Sequence, residues 1–166
     1  MGSMQQGSPS TRQKTALVLR QVGGKGRGVF ATAAFRPGQE VLEFLGDIKD
    51  VGDFEDLTHA LQIGPRAFLS PSGDIDDFVN HSCEPNCGIR EDKGRVVLFA
   101  LRPIASSAEI TFDYATTQAG GYWQMECHCG TPTCRRTIRD FGDLPAQAQD
   151  YYIKHQAVLP YLLKKA

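Results

Sequence analysis

Long apolar runs are missing from this 166-residue chain, and so is any excess of one charge. No stretch approaches the roughly 20 consecutive apolar residues that span a bilayer, and nothing resembles a secretory leader. The sequence therefore predicts an intracellular protein with no membrane anchor. Eighteen Lys and Arg stand against nineteen Asp and Glu, a formal net charge of −1. That balance removes any whole-molecule attraction to nucleic acid, and direct binding to it is not expected. Helical periodicity is scarce until the C-terminal end, which argues against a helical bundle. The run Gly24-Lys25-Gly26-Arg27-Gly28 is neither a GxGxxG with a long helix behind it nor a P-loop, so the usual nucleotide cradles are excluded. Cysteine is present, but the count of five is odd. Without a leader, such thiols point to metal or catalysis rather than to disulfides.

Apolar residues make up 41% of the chain and charged residues 22%, enough for one domain with a full core. No internal repeat or second domain is evident. Met1-Gly2-Ser3-Met4 reads as an expression tag, and residues 5–14 are polar and expected to be disordered. Short strands are predicted over 16–22, 29–31, 40–44, 59–63, 67–69, 95–100 and 109–112, separated by turn signals such as Arg36-Pro37-Gly38 and Pro71-Ser72-Gly73-Asp74. The 95–100 strand is the strongest and is reached from 91–94 as a hairpin. A mostly β core follows. At the end, Asp143 is a candidate helix cap with Pro145 in the first turn, and Pro160 should kink or split that helix. Acids cluster over 47–56 and again at Asp74, Asp76, Asp77 and Glu84. They form either a solvated face or a surface that attracts a basic peptide.

Three segments carry chemistry. Cys127-x-Cys129-x4-Cys134 packs three thiols into eight residues, with Gly130 and Pro132 shaping the turn. A structural zinc site wants four ligands. Cys83 and Cys87 are the remaining thiols, and His128 is a poorer local candidate. Asn80 and His81 precede a turn with Pro85 and Asn86; an Asn offers donor and acceptor to a polar head group, or to a buried turn network. Phe112 and Tyr114 close a strand and would share one face, as core or as the wall of a site. The glycines at 24–28 either shape a tight hairpin or let backbone approach a ligand.

Taken together, these segments resemble the SET-domain family of protein-lysine methyltransferases from about residue 16 to residue 138. The matching parts are GKGRGVFA (24–31), EFLGD (43–47), FVNHSCEPNC (78–87), AEITFDY (108–114) and CHCGTPTCR (127–135), in the family's order. The resemblance implies a β-rich α+β fold of several small sheets with a C-terminal pseudoknot, here followed by a C-terminal helical extension. Its segments would be the tag and disordered N-terminal segment (1–14), a SET domain (15–116), a zinc-binding post-SET segment (117–139) and the extension (140–166). It implies that S-adenosylmethionine lies against Lys25, Gly26, Arg27, Asn80, His81, Tyr114, His128 and Ile138. Tyr114 would be the catalytic tyrosine, with Phe112 gating how many methyl groups are added. Cys83, Cys127, Cys129 and Cys134 would hold one structural zinc, leaving Cys87 spare. Trp123 would stack near the adenine or wall the lysine channel. Phe44 stands where relatives often have Tyr, and Asp77 where many carry a basic residue.

The expected activity is methyl transfer to lysine in a basic peptide such as a histone tail, as di- or trimethylation. In a eukaryote that places the protein in the nucleus, otherwise in the cytoplasm. The alternatives are a non-histone protein substrate, or a catalytically silent SET-like module that only binds peptide.

Overall fold

The computed structural model describes residues 16–24 and 26–164. The reading of residues 1–14, and the assignment of Lys25 to the cofactor site, lie outside the described residues. Five small sheets make up the fold. In the first, β1 (Leu17–Val22) pairs antiparallel with β2 (Gly26–Ala31), from Leu17↔Ala31 to Val22↔Gly26. The second strand begins three residues earlier than its apolar part suggested, because the glycine-rich run joins the ladder. Gly28 is closely approached there: a Cβ would lie 2.6 Å from Glu109 Oε1 and 3.0 Å from Asn80 Nδ2, so those side chains would have to shift.

β3 (Glu40–Phe44) lies at the edge of the sheet that forms the main core. A second three-stranded sheet, in the order β4-β6-β5, is built from β4 (Ile48–Asp50), β5 (Leu61–Gln62) and β6 (Ala67–Leu69). The acidic stretch thus contributes a strand and a 3-10 turn (Val51–Asp53). Gly46 joins the two sheets with φ of 126°, and a Cβ there would meet the Ser70 carbonyl oxygen at 2.0 Å. No other residue fits that position. β7 (Asn80–His81) follows, then β8 (Cys87–Asp92) and β9 (Arg95–Ala100) as a hairpin. Lys93 and Gly94 turn that hairpin with φ of 51° and 80°, the doubly left-handed geometry that matches strand twist.

β9 sits between β3 and β8, so RVVLFA is buried on both faces and reads as a continuous apolar run. Leu98 and Ile89 are opposite one another and fully buried. Leu98→Ala should cost about 2–5 kcal/mol, read as a lower urea midpoint with an unchanged slope. The slope is the control, since a change in it would mean altered compactness instead.

β10 (Thr111–Phe112) pairs parallel with β7, Asn80 opposite Thr111 and His81 opposite Phe112. Just before it, Ala31 N donates to Ala108 O and Ile110 N to Val29 O. The Asn86 side chain donates to Glu109 O at 2.7 Å and accepts from Thr111 N at 3.0 Å. Residues 108–112 thus run between the first hairpin and the 80–86 segment, bonded to both. β11 (Met125–Glu126) and β12 (Thr137–Ile138) form the last pair.

The C-terminal helix α1 spans Ala146–Lys154. Its N-cap is Pro145, which makes no side-chain cap bond; Asp143 instead ends a 3-10 turn (Phe141–Asp143). The expected Asp143 cap is therefore corrected: the proline's fixed φ starts the helix without it. Pro160 neither kinks nor splits α1, which has ended at Lys154, but opens a separate 3-10 turn (Pro160–Leu163). No helix among the described residues is long and apolar enough to cross a membrane.

Candidate active site and metal centre

The turn that follows β10 brings the sequence motifs together. Tyr114 opens a 3-10 turn (Tyr114–Thr117), capped by the Asp113 carboxylate accepting from Ala115 N. Tyr114 is therefore not a strand residue alternating with Phe112, as the sequence suggested. The two rings nevertheless converge, with centroids 4.9 Å apart. Phe44 packs edge-on against Phe112 at 5.5 Å, and Trp123 approaches Tyr114 at 6.0 Å. These four side chains wall a cavity of about 350 Å³, which also meets His59, Gln62, Asp76 and Asp77. Trp123 belongs to this aromatic wall.

The Tyr114 hydroxyl donates to Val79 O at 2.6 Å. Burial pushes its pKa well above the ordinary phenol value, with Glu109 adding to the shift. The phenol stays neutral near pH 7, a donor rather than a base. Its backbone N donates to His81 Nδ1 at 3.1 Å, which makes that nitrogen the acceptor and puts a ring proton on Nε2. His81 Nε2 lies 3.3 Å from Cys83 Sγ. One imidazole thus links the tyrosine to the cysteine cluster.

Asn80 stands beside it on β7. Its amide nitrogen donates to Glu109 Oε1 at 2.8 Å and Arg27 O at 3.2 Å. Among the described residues, nothing donates to its carbonyl oxygen. Gly26 has φ of 75°, and Arg27 lies over the Phe78 ring at 4.4 Å. His128 is exposed beside Glu126 at 3.4 Å. Ile138 is fully buried and pairs with Met125.

Cys83, Cys127, Cys129 and Cys134 place their four Sγ atoms within 4.8 Å of one another. Cys83 and Cys127 are 3.7 Å apart. A tetrahedral zinc with Zn–S of 2.3 Å separates its sulfurs by about 3.8 Å, so the four thiols fit the ion and could hold it. Burial pushes Cys83 up to about 11. Burial acts against Cys129 as well, but the Thr131 hydroxyl and nearby amides outweigh it and bring that thiol down to about 6. Cys87 is not part of the set: it is fully buried at the start of β8, paired with Ala100, and burial raises it to about 12.

Asp47, Asp50, Asp53, Glu55, Asp56, Asp74 and Glu84 are exposed, as a solvated face requires, whereas Asp76 and Asp77 depart from that reading. Asp76 is buried, accepts from Leu45 N and the Ser72 hydroxyl, and burial raises its pKa. Asp77 accepts from Ser72 N and Gly73 N. Both hold a turn beside the cavity instead of forming an open acidic face. Asp50 pairs with Arg66 at the surface.

A match to the family model of the SET domain covers residues 26–115. The chain belongs to the SET domain family. This SET domain is similar to the histone-lysine N-methyltransferase ATX2 of Arabidopsis thaliana, at 29% identity over 75% of the chain and 13% of that protein. An H3 lysine-36-specific histone-lysine N-methyltransferase of Candida albicans is 31% identical over 74% of the chain and 16% of its own length. Su(var)3-9 of Drosophila melanogaster is 29% identical over 76% of the chain and 25% of its own length. The SET domain thus spans a quarter or less of these curated relatives. Among solved structures, KRYPTONITE in complex with mCHH DNA, an H3(1-15) peptide and SAH aligns with a TM-score of 0.61. It is 27% identical, over 74% of this chain and 29% of that one. SUVH6 of Arabidopsis thaliana in complex with SAM aligns at 0.63 and 21% identity, over 74% and 33%, a likeness of fold alone.

Sequence reasoning missed the polar groups that hold the site. Asp113 accepts from Arg135 at 2.8 Å and from the Tyr152 hydroxyl at 2.8 Å. Gln62 clamps Ala119, donating to its carbonyl at 2.9 Å and accepting from its N–H at 3.1 Å. Nothing local marks these residues, because each partner lies more than 20 positions away.

Proposed function

We propose that this SET domain transfers methyl groups from S-adenosylmethionine to the side-chain amine of lysine in a protein, with a histone tail as substrate and nuclear chromatin as its setting. The observation that carries this reading is the aromatic cavity walled by Phe44, Phe112, Tyr114 and Trp123, with the Tyr114 hydroxyl held on Val79 O. The relatives named as histone-lysine methyltransferases and the neighbour holding an H3 peptide and SAH support the choice of substrate and cofactor. When bound, S-adenosylmethionine supplies an electrophilic methyl group. Gly26, Arg27, Asn80, His81, Tyr114, His128 and Ile138 are the described residues assigned to hold it. The unengaged Asn80 carbonyl suits an ammonium donor. His81 has a second part, since its ring orients the Tyr114 backbone.

The nucleophile must be neutral. A free lysine of pKa about 10.4 is neutral about once in 2,500 molecules at pH 7, a handicap of roughly 4.6 kcal/mol. Phe44, Phe112 and Trp123 strip water from the ammonium, which lowers its pKa. Tyr114, neutral and fixed against Val79 O, orients the amine and does not take its proton.

Phe112 governs product multiplicity. It carries no hydroxyl to hold a water beside the amine, so an amine already methylated still fits, and the products are di- or trimethyl-lysine. Phe112→Tyr should shift them toward monomethyl-lysine, read by mass spectrometry of a histone peptide. Only monomethyl product from the native chain would refute this role.

A further inference from the structure

The 3-10 turn that carries Tyr114 is held from outside itself. Asp113, immediately before it, is 1% exposed and accepts from Tyr152 on α1. Thr116 O accepts from Leu159 N at 3.1 Å, and Thr117 O accepts from the Tyr161 hydroxyl. Gln118 O accepts from Phe141 N at 2.9 Å. Four of the six positions from 113 to 118 are thus bonded by residues 141–161. Behind the same turn, Ala115 is fully buried in a cluster with Phe99, Phe141, Leu144, Tyr152 and Val158. Among the described residues, none beyond Met125 lines the aromatic cavity. The C-terminal extension therefore touches the turn and not the space where a substrate side chain would sit.

A single 3-10 turn is short, and its own bonds are all local: Thr116 N and the Thr116 hydroxyl to Asp113 O, Gln118 N to Ala115 O, the Thr117 hydroxyl to Tyr114 O, and the Asp113 cap on Ala115 N are among them. Such a turn does not fix a ring within the tolerance catalysis needs, where a displacement of about 1 Å can cost on the order of 100-fold in rate. The outside bonds supply the missing rigidity. We infer that residues 140–164 form a clasp that positions Tyr114, with Tyr152 and Tyr161 as its positioning residues. Tyr152 also shares the Asp113 carboxylate with Arg135, next to the ligand Cys134, so the clasp and the metal segment fix the same group.

This inference rests on Tyr114 acting beside the reacting amine, and its test separates the two. Tyr152→Phe, Tyr161→Phe and the double variant are compared in the full, zinc-loaded chain. Tyr151→Phe is the control, since Tyr151 lies on the outer face of α1 against His155. Each single variant should lower kcat about 10-fold with the KM for a histone peptide unchanged, because the cavity wall is untouched. The chain has one tryptophan, Trp123, beside the Tyr114 ring. Its emission should shift in both single variants and stay constant in the control.

Wild-type kcat and emission in Tyr152→Phe and Tyr161→Phe would overturn the clasp. A raised KM at constant kcat would overturn it too, since that places the residues in binding. If the native chain transfers no methyl group, the proposed activity fails, yet the Trp123 emission still decides whether the clasp holds the turn. Tyr161→Phe removes one bond to a backbone carbonyl and keeps the ring, so a folded variant is available even where the double variant unfolds.

Discussion

Tyr114→Phe is expected to lower methyl transfer on the order of 100-fold, the scale seen when one preorganised donor is removed from a reacting centre. The aromatic contacts with Phe112, His81 and Trp123 survive the change, since all belong to the ring. What disappears is the hydroxyl on Val79 O, which leaves that carbonyl short of a donor at a stability cost of about 1 kcal/mol. Radiolabelled S-adenosylmethionine with mixed histones measures the transfer, and calorimetry with the cofactor alone measures binding. The expected pattern is a large loss of rate with cofactor affinity within a few-fold of native. Equal activity in the two chains would remove Tyr114 from the chemistry. Loss of cofactor affinity in parallel with rate would recast it as a binding residue. Because burial keeps its phenol neutral, the native rate should show no inflection attributable to Tyr114 ionisation between pH 7 and 9.

Cys129→Ser should empty the metal centre. Metal analysis of the native chain should give about one zinc, and the variant about none, because a hydroxyl is a far poorer ligand than a thiolate. The consequence extends beyond residue 129. Cys83 belongs to the turn after β7, and the other three thiols lie between β11 and β12, so a bound ion would tie the middle of the chain to its end. Without it, the remaining ties include weak ones such as Arg135 N to Cys83 Sγ at 3.4 Å. Proteolysis should then cut within residues 117–139 while the β3-β9-β8 sheet persists. Acid should mimic the substitution: protons compete with the metal for thiolates, so zinc is retained at neutral pH and released as pH falls. A variant that keeps its zinc would refute the ligand set, and Cys87→Ser, which alters a core thiol, should leave the metal content unchanged.

Several parts of this architecture were legible because their causes are local. RVVLFA reads as the strongest strand from its own side chains, with a hairpin turn within residues 91–94; the structure narrows that turn to Lys93-Gly94, both with positive φ. The NHSCEPN, TFDY and CxCxxxxC spacings marked the family, and its model matches residues 26–115. Local signals misled where the backbone departed from a regular element. Tyr114 left the strand pattern because Asp113 caps a 3-10 turn, and Asp143 lost its capping role because Pro145 starts the helix unaided.

The sequence by itself determined the residue types of the site, their order along the chain, and a β-rich fold in one domain. Spacing alone left open which of Cys83 and Cys87 joins the zinc set and whether Phe112 and Tyr114 are core or cavity wall, where the family resemblance implied Cys83 and a catalytic Tyr114; what the C-terminal helix does stayed open. Those answers depend on distances between segments 20 to 50 residues apart. Tertiary structure supplies those distances. Cys87 enters the core because β8 pairs with β9, whereas the turn after β7 brings Cys83 to within 3.7 Å of Cys127. Asp113, silent in a strand reading, becomes the point where Arg135 and Tyr152 meet. A buried carboxylate must find partners wherever the fold supplies them, and no pattern of neighbours along the chain records which ones those are.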